Sequence, residues 1–147
     1  IWREVRGLLR MTLDESRHSV ARVETINEEL QECRGLLYAY DSLYANANNS
    51  KGMYRLRGDA AGNLAKPELL FATEGGVGHG RNDLTVGPDG KIYSIHGDSV
   101  EAPAGAEDYT PGAGQLRPED SRGQGRVIRF DPATGKLAIL ARGLRNP

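Results

Sequence analysis

An all-β fold of the propeller type is what this chain predicts, and three observations carry the expectation. From Gly35 onward, short runs of β-forming residues alternate with clusters of Gly, Pro, Asn and Asp. A two-strand unit recurs at an interval close to that of a propeller blade. Between Gly78 and Asp98, GHGRNDLTVGPDGKIYSIHGD reads as a hairpin with a histidine at one foot and a carboxylate at the other.

Taken in order, residues 1 to about 30 form an N-terminal segment expected to be partly helical or irregular. It is rich in charge, with no Pro and no Gly after Gly7. Val5, Leu8, Leu9 and Leu13 stand at helical spacing and predict a short amphipathic helix over its first half. Val20 to Ile26 alternates more as a strand does. Residues 31–147 are expected to hold the partial propeller, with strands at Leu36–Tyr40, Leu43–Ala47, Met53–Arg57, Glu68–Ala72, Asp83–Val86, Lys91–His96, Arg126–Asp131 and Leu137–Ala141. Ser99 to Gln124 is rich in Gly, Pro, Ala and charge without periodicity. It reads as a long loop projecting from one rim, since loops beyond about 15 residues inside a domain are usually functional or disordered.

The repeat decides between a sandwich and a propeller. GMYRLRGD at 52–59, followed by LLFA at 69–72, recurs as GRVIRFD at 125–131, followed by LAILA at 137–141. Each copy is followed by an Arg-Asn pair, Arg81-Asn82 and Arg145-Asn146. Gly52 and Gly125 are 73 residues apart; the loop 99–124 accounts for 26 of them and leaves 47, close to the ~40–50 residues of a blade. A sandwich has no reason to repeat its strands in this way. Propellers close with about four to eight blades, so the two blades read here are expected to belong to a longer ring. A sequence opening at Ile1 and stopping after a strand-like run agrees with that expectation.

The hairpin turn is Gly87-Pro88-Asp89-Gly90, with Pro where φ is preset and Gly closing it. Symmetric pairing about its centre sets 87 against 90, 85 against 92 and His79 against Asp98. A carboxylate that accepts one imidazole N–H fixes the tautomer and leaves the other nitrogen able to take a proton, which is a general-base arrangement. A bulge would shift that register by one.

Composition excludes several classes of function. A net charge of −1 and a pI near 6.4 give no electrostatic case for nucleic acid or an anionic membrane. Counted with Gly in place of Tyr, about 47% of the chain is apolar, inside the globular range. No apolar run approaches the ~20 residues of a membrane span, and no signal-like segment leads the chain. The single cysteine, Cys33, excludes an internal disulfide and a cysteine-based zinc cage, and is read as a small apolar residue. His79, Asp83, His96 and Asp98 match no standard metal spacing, so no metal site is assigned. GVGHG at 76–80 has the glycines of a phosphate loop, but a strand follows it where a dinucleotide site needs a helix N-terminus. His96 reads as a packed or pore-lining residue and His18 as a solvated one.

The segments GHGRNDLTVGPDGKIYSIHGD and GRVIRFDPATGKLAILARGLRNP resemble the glucose/sorbosone dehydrogenase family, six-bladed propellers that oxidise sugars with pyrroloquinoline quinone (PQQ). In that family a His opens a strand, a Gly-Pro-Asp turn follows and a Gly-Asp closes the hairpin. Those positions are His79, Gly87-Pro88-Asp89 and Gly97-Asp98 here, and the later Gly-hydrophobic-Arg-Asn-Pro motif is Gly143 to Pro147. GLLYAYDSLYANANNSKGMYRLRGD (Gly35 to Asp59) is similar to large secreted proteins of the membrane-bound-dehydrogenase type, which share this propeller and often append a c-type haem domain. The chain departs from the pattern at Gly78, where the sugar dehydrogenases commonly place Asn or Asp, and in the spacing that sets Arg81-Asn82-Asp83 after the histidine.

The resemblance implies about two blades of six, His79 as base with Asp98 as its orienter, and Arg145, Asn146, Arg81 and Asn82 as contacts of the quinone. It implies PQQ as cofactor, Ca²⁺ held in a further part of the ring, a sugar or other small alcohol as substrate, a cytochrome c as electron acceptor, and a periplasmic or secreted location. Two alternatives stand beside it. The Arg-Asn pairs serve equally well as corner residues bonding main chain between blades, and a non-catalytic propeller could bind a polysaccharide or a protein partner through the same face.

Overall fold

The computed structural model describes residues 6–76, 78–109 and 124–147. Every regular element among them is a strand. Arg6–Leu13 (β1) and Val20–Gln31 (β2) make an antiparallel hairpin. Cys33–Ala39 (β3), Ser42–Ala47 (β4), Gly52–Arg57 (β5) and Glu68–Ala72 (β6) follow as a four-stranded antiparallel sheet in chain order. Arg81–Val86 (β7), Ile92–His96 (β8), Glu107–Asp108 (β9), Gly125–Phe130 (β10) and Leu137–Leu144 (β11) make the third sheet, ordered β7-β8-β10-β11-β9. No helix among the described residues is long and apolar enough to cross a membrane.

The sequence repeat occupies equivalent places in two separate sheets. β5 and β6 are third and fourth in theirs, and β10 and β11 are third and fourth in the other. Tyr44, Met53 and Phe71 from the first meander close a core with Leu84, Ile92 and Phe130 from the second. Alternate residues of β4 and β5, Ala45, Ala47 and Leu56, face the other way and pack with Leu8 and Leu30 of the hairpin. The four-stranded sheet is therefore covered on both faces, which is why five of the six residues of β4 are buried. Each large apolar side chain buried in these cores contributes about 1.5–3 kcal/mol.

Two expectations are corrected. The segment read as a helix, Val5 to Leu13, is strand β1 over its described part. Strand alternation sets Leu8 inward and Leu9, Met11 and Leu13 outward, although the spacing of Leu8, Leu9 and Leu13 also fits a helix. The loop 99–124 does not simply project: Val100 is buried and bridges to Gly75, and Glu107–Asp108 pairs in parallel with β11. Residues 110–123 of that loop lie outside the described residues.

The two meanders approach closely at Gly35 of β3. A Cβ built there would lie 2.0 Å from the carbonyl oxygen of Asn82 on β7 and 3.0 Å from its carbon. That same oxygen accepts a hydrogen bond of 2.9 Å from Asn46 Nδ2, which also donates to Ser94 Oγ at 2.9 Å. Gly35→Ala must part the sheets and weaken this cross-link. The expected cost is about 3 kcal/mol, read as a lower urea midpoint. Gly62→Ala, where φ is +81° but the space is open, should cost only about 1 kcal/mol of local strain; equal losses in the two variants would refute the close-contact account.

Candidate functional site

The hairpin β7–β8 carries the site, and its register is more particular than symmetric pairing. Gly87 N–H donates to Lys91 O and Gly90 N–H to Gly87 O, while Gly90 has φ +70°. This is a three-residue loop of a type I turn followed by a left-handed glycine. It shifts the pairing by one, to Val86 with Ile92, Thr85 with Tyr93 and Leu84 with Ser94. A bulge then sets Asn82 and Asp83 opposite Ile95 alone and restores Arg81 to His96. The bulge cancels the odd loop. His79 and Asp98 consequently face one another, as the symmetric count expects.

His79 Nδ1 lies 2.6 Å from Asp98 Oδ1, with side-chain exposures of 32% and 24%. An ionised carboxylate only accepts, so Nδ1 carries the proton, and in the neutral ring Nε2 presents its lone pair. Nε2 has no protein partner among the described residues. The pair is held through the backbone on both sides: Ser99 Oγ donates to His79 O at 2.5 Å, Gly97 N–H to Gly80 O at 2.8 Å, and Asp98 N–H to Arg145 O at 2.8 Å. Gly97 admits no side chain, since a Cβ would lie 2.6 Å from the carbonyl of His79. Gly78 has φ +85°. This left-handed position explains the glycine, and Asn and Asp are the other residues that tolerate it best.

The remaining expected contacts divide. Arg145 and Asn146 are exposed at the end of β11, beside Asp98. Asn82 joins them, its Nδ2 donating to Pro147 O at 2.6 Å and to Asn146 Oδ1 at 3.4 Å. Arg81 does not belong to this open edge. Its guanidinium is fully buried and donates to Thr73 Oγ1 at 2.5 Å, Thr73 O, Asn48 O at 2.9 Å and Gly75 O at 3.3 Å. It takes the corner role, binding main chain between the sheets, and burial lowers its pKa to about 10, which leaves it charged at neutral pH. Asn48 is the companion that sequence reading passed over. Its Oδ1 accepts from Arg81 N–H at 3.1 Å and its Nδ2 donates to Gly76 O at 2.8 Å. An Asn in a turn after a strand carries no local mark of that task.

His96 is 1% exposed, stacked on Phe71 at 6.5 Å, and neither ring nitrogen has a hydrogen-bond partner. Arg81 and Arg126 are its cross-strand neighbours. Burial pushes its pKa down to about 3, with the two guanidiniums adding to the effect. The unfolded chain binds this proton near 6.5 and the native one does not. The contribution of His96 is therefore complete above about pH 6.5 and is lost toward pH 3, by up to about 1.4 kcal/mol per pH unit. Urea midpoints between pH 7 and 4.5 should show the decline, and His96→Phe should flatten it; an unchanged slope in the variant would assign the decline to other groups. His18 is exposed in the β1–β2 turn. Burial raises the Cys33 thiol to about 11, which suits a packing residue and not a nucleophile. No three His, Cys, Asp or Glu side chains among the described residues converge on a point that could hold a metal ion.

Comparison with known proteins agrees with the fold and goes no further. No family model matches the chain, and no curated protein matches it. Among solved structures, it is similar to a luciferin-regenerating enzyme with a TM-score of 0.54 at 12% identity. The likeness covers 84% of this chain and 33% of that one, so the chain spans about a third of its neighbour's length. At that identity the likeness speaks for an all-β, propeller-like architecture alone.

Proposed function

We propose that His79 and Asp98 form the general-base pair of a sugar- or alcohol-oxidising propeller of the glucose/sorbosone dehydrogenase type. The observation that carries the reading is the 2.6 Å contact between Nδ1 and Asp98 in a pair that is only partly buried. In that role Nε2 takes the proton of a substrate hydroxyl, and Asp98 holds the ring and stabilises the imidazolium that results. PQQ is rich in carboxylate and carbonyl oxygens and calls for cationic and N–H donors. The open edge offers these in Arg145 and Asn146, with Asn82 bonded to Asn146 and Pro147 beside them, while Arg81 is engaged with main chain. When bound, the quinone supplies the acceptor for the hydride lost from the alcohol carbon. A cytochrome c acceptor, a Ca²⁺ site elsewhere in the ring and a periplasmic or secreted setting belong to the same proposal.

The test is made on the full-length protein loaded with PQQ and Ca²⁺. Aldose-dependent reduction of an artificial electron acceptor is the expected result. Saturable binding of an oligosaccharide without any reduction, in protein shown to hold the quinone, would replace the enzyme with a binding propeller.

A further inference from the structure

The loop that delivers His79 joins the first meander to the second, and two of its carbonyls, those of Gly76 and Gly78, are held by side chains of the first. Arg34 on β3 donates from Nη1 to Gly78 O at 2.8 Å. Asn48, just after β4, donates from Nδ2 to Gly76 O at 2.8 Å. Both are tied to one carboxylate: Glu32 accepts Arg34 Nε at 3.0 Å and Nη2 at 2.5 Å on Oε1, and Asn48 Nδ2 at 3.0 Å on Oε2. Glu32 occupies the joint between β2 and β3 at φ +52°, a strained conformation for a residue with a side chain. Asn48 N–H donates to its carbonyl at 2.9 Å, so main chain and side chain are fixed together. Burial pushes the Glu32 carboxyl upward, but the hydrogen bonds from Asn48 and Arg34 and the charge of Arg34 together bring it below its ordinary value, which keeps the acceptor charged.

We propose that Glu32, Arg34 and Asn48 are positioning residues, a clamp built on one sheet that sets where the His79 imidazole of the next sheet stands. The inference rests on the general-base reading of His79 but is tested apart from it. A loop whose segment Gly75, Gly76 and Gly78 adopts φ of +75°, +103° and +85° has little stiffness of its own. Its geometry must come from partners. Arg34 is placed to act on the site and not on the core, because its side chain is 29% exposed and its forked donors bridge Glu32 to the residue directly before His79. Lysine, whose three donors all sit on one nitrogen, cannot span Glu32 and Gly78 as the guanidinium fork does.

The experiment follows the His79 Nδ1 proton in full-length protein labelled with ¹⁵N-histidine. A proton held in so short an imidazole–carboxylate bond exchanges slowly and resonates far downfield, and Asp98→Asn assigns it by removing it. Arg34→Ala and Glu32→Gln are expected to broaden or abolish this resonance and to lower kcat/KM by roughly 10- to 100-fold, the scale on which a misplaced catalytic group loses rate. Arg34→Lys is expected to restore it only in part. Arg55→Ala, which breaks the Arg55–Glu68 pair at 2.8 Å on another surface, should leave it unchanged. A resonance retained in both Arg34→Ala and Glu32→Gln would overturn the clamp and leave the general base standing. Clamp variants that lose the resonance in a protein with no dehydrogenase turnover would uphold the clamp and remove the base. Absence of the resonance in the parent protein would overturn both.

Discussion

Full-length protein carrying His79→Ala is expected to lose turnover by roughly 10²- to 10⁴-fold, the contribution of a positioned acid–base group. The side chain is partly exposed and its nearest structural task is the bond to Asp98, so the substitution should leave the fold and quinone binding intact. Asp98→Asn is the informative companion. It preserves shape and removes the charge that stabilises the imidazolium, and a fall of more than tenfold is expected. The two losses should not add, because both variants disable one proton-accepting unit. Steady-state turnover with an artificial acceptor, together with a binding measurement for the quinone, separates the cases. Full activity in both variants with quinone bound would make the pair architectural and favour a binding propeller.

Arg81→Met should be the most destabilising single change in the described chain, costing about 3–5 kcal/mol of the ~5–15 kcal/mol that folded domains possess. The guanidinium lies where the two meanders meet and satisfies the carbonyls of Thr73, Asn48 and Gly75 together with the Thr73 hydroxyl. Methionine fills much of the volume but withdraws the donor from the buried Thr73 carbonyl and hydroxyl, while Asn48 O keeps Lys51 N–H at 3.2 Å; each buried acceptor left unpaired costs about 1–3 kcal/mol before the relief of a buried charge is credited. Urea unfolding read by linear extrapolation gives the number. Arg81→Lys should recover part of the loss, since an ammonium meets some of the acceptors but not the fork. A change under about 1 kcal/mol for Arg81→Met would mean that water replaces the guanidinium and that the corner is not sealed.

Much of the β architecture was legible because strands announce themselves locally. Glu68–Ala72 lies where alternation and turn residues place it, β5 begins one residue before expectation, and β10 is set one residue earlier at both ends. The dyad was legible for a related reason: a Gly-Pro-Asp-Gly turn anchors the count along both arms. The count succeeded through two departures that cancel, the odd loop at Gly90 and the bulge at Asn82-Asp83. Leu8, Leu9 and Leu13 fit one helical face by spacing, whereas in strand β1 Leu8 is buried and Leu9 and Leu13 are exposed on the opposite face. Only the pairing with β2 separates the two.

By itself the sequence determined the succession of strands, the repeat that divides them into equivalent units, and the nearness of His79 to Asp98, all consequences of period, turn chemistry and short separation along the chain. Tertiary structure alone decided that Arg81 is sealed in a corner while Arg145 stays open, that His96 is buried between two guanidiniums, and that Glu32, Arg34 and Asn48 hold the His79 loop from another sheet. The physical reason is the range of the forces involved. Backbone propensity acts over a few residues, whereas desolvation and the hydrogen-bonding of buried carbonyls depend on which side chains meet after the sheets have stacked. Asn48 and Arg81 stand 33 residues apart in the chain, and only the packed sheets bring them together.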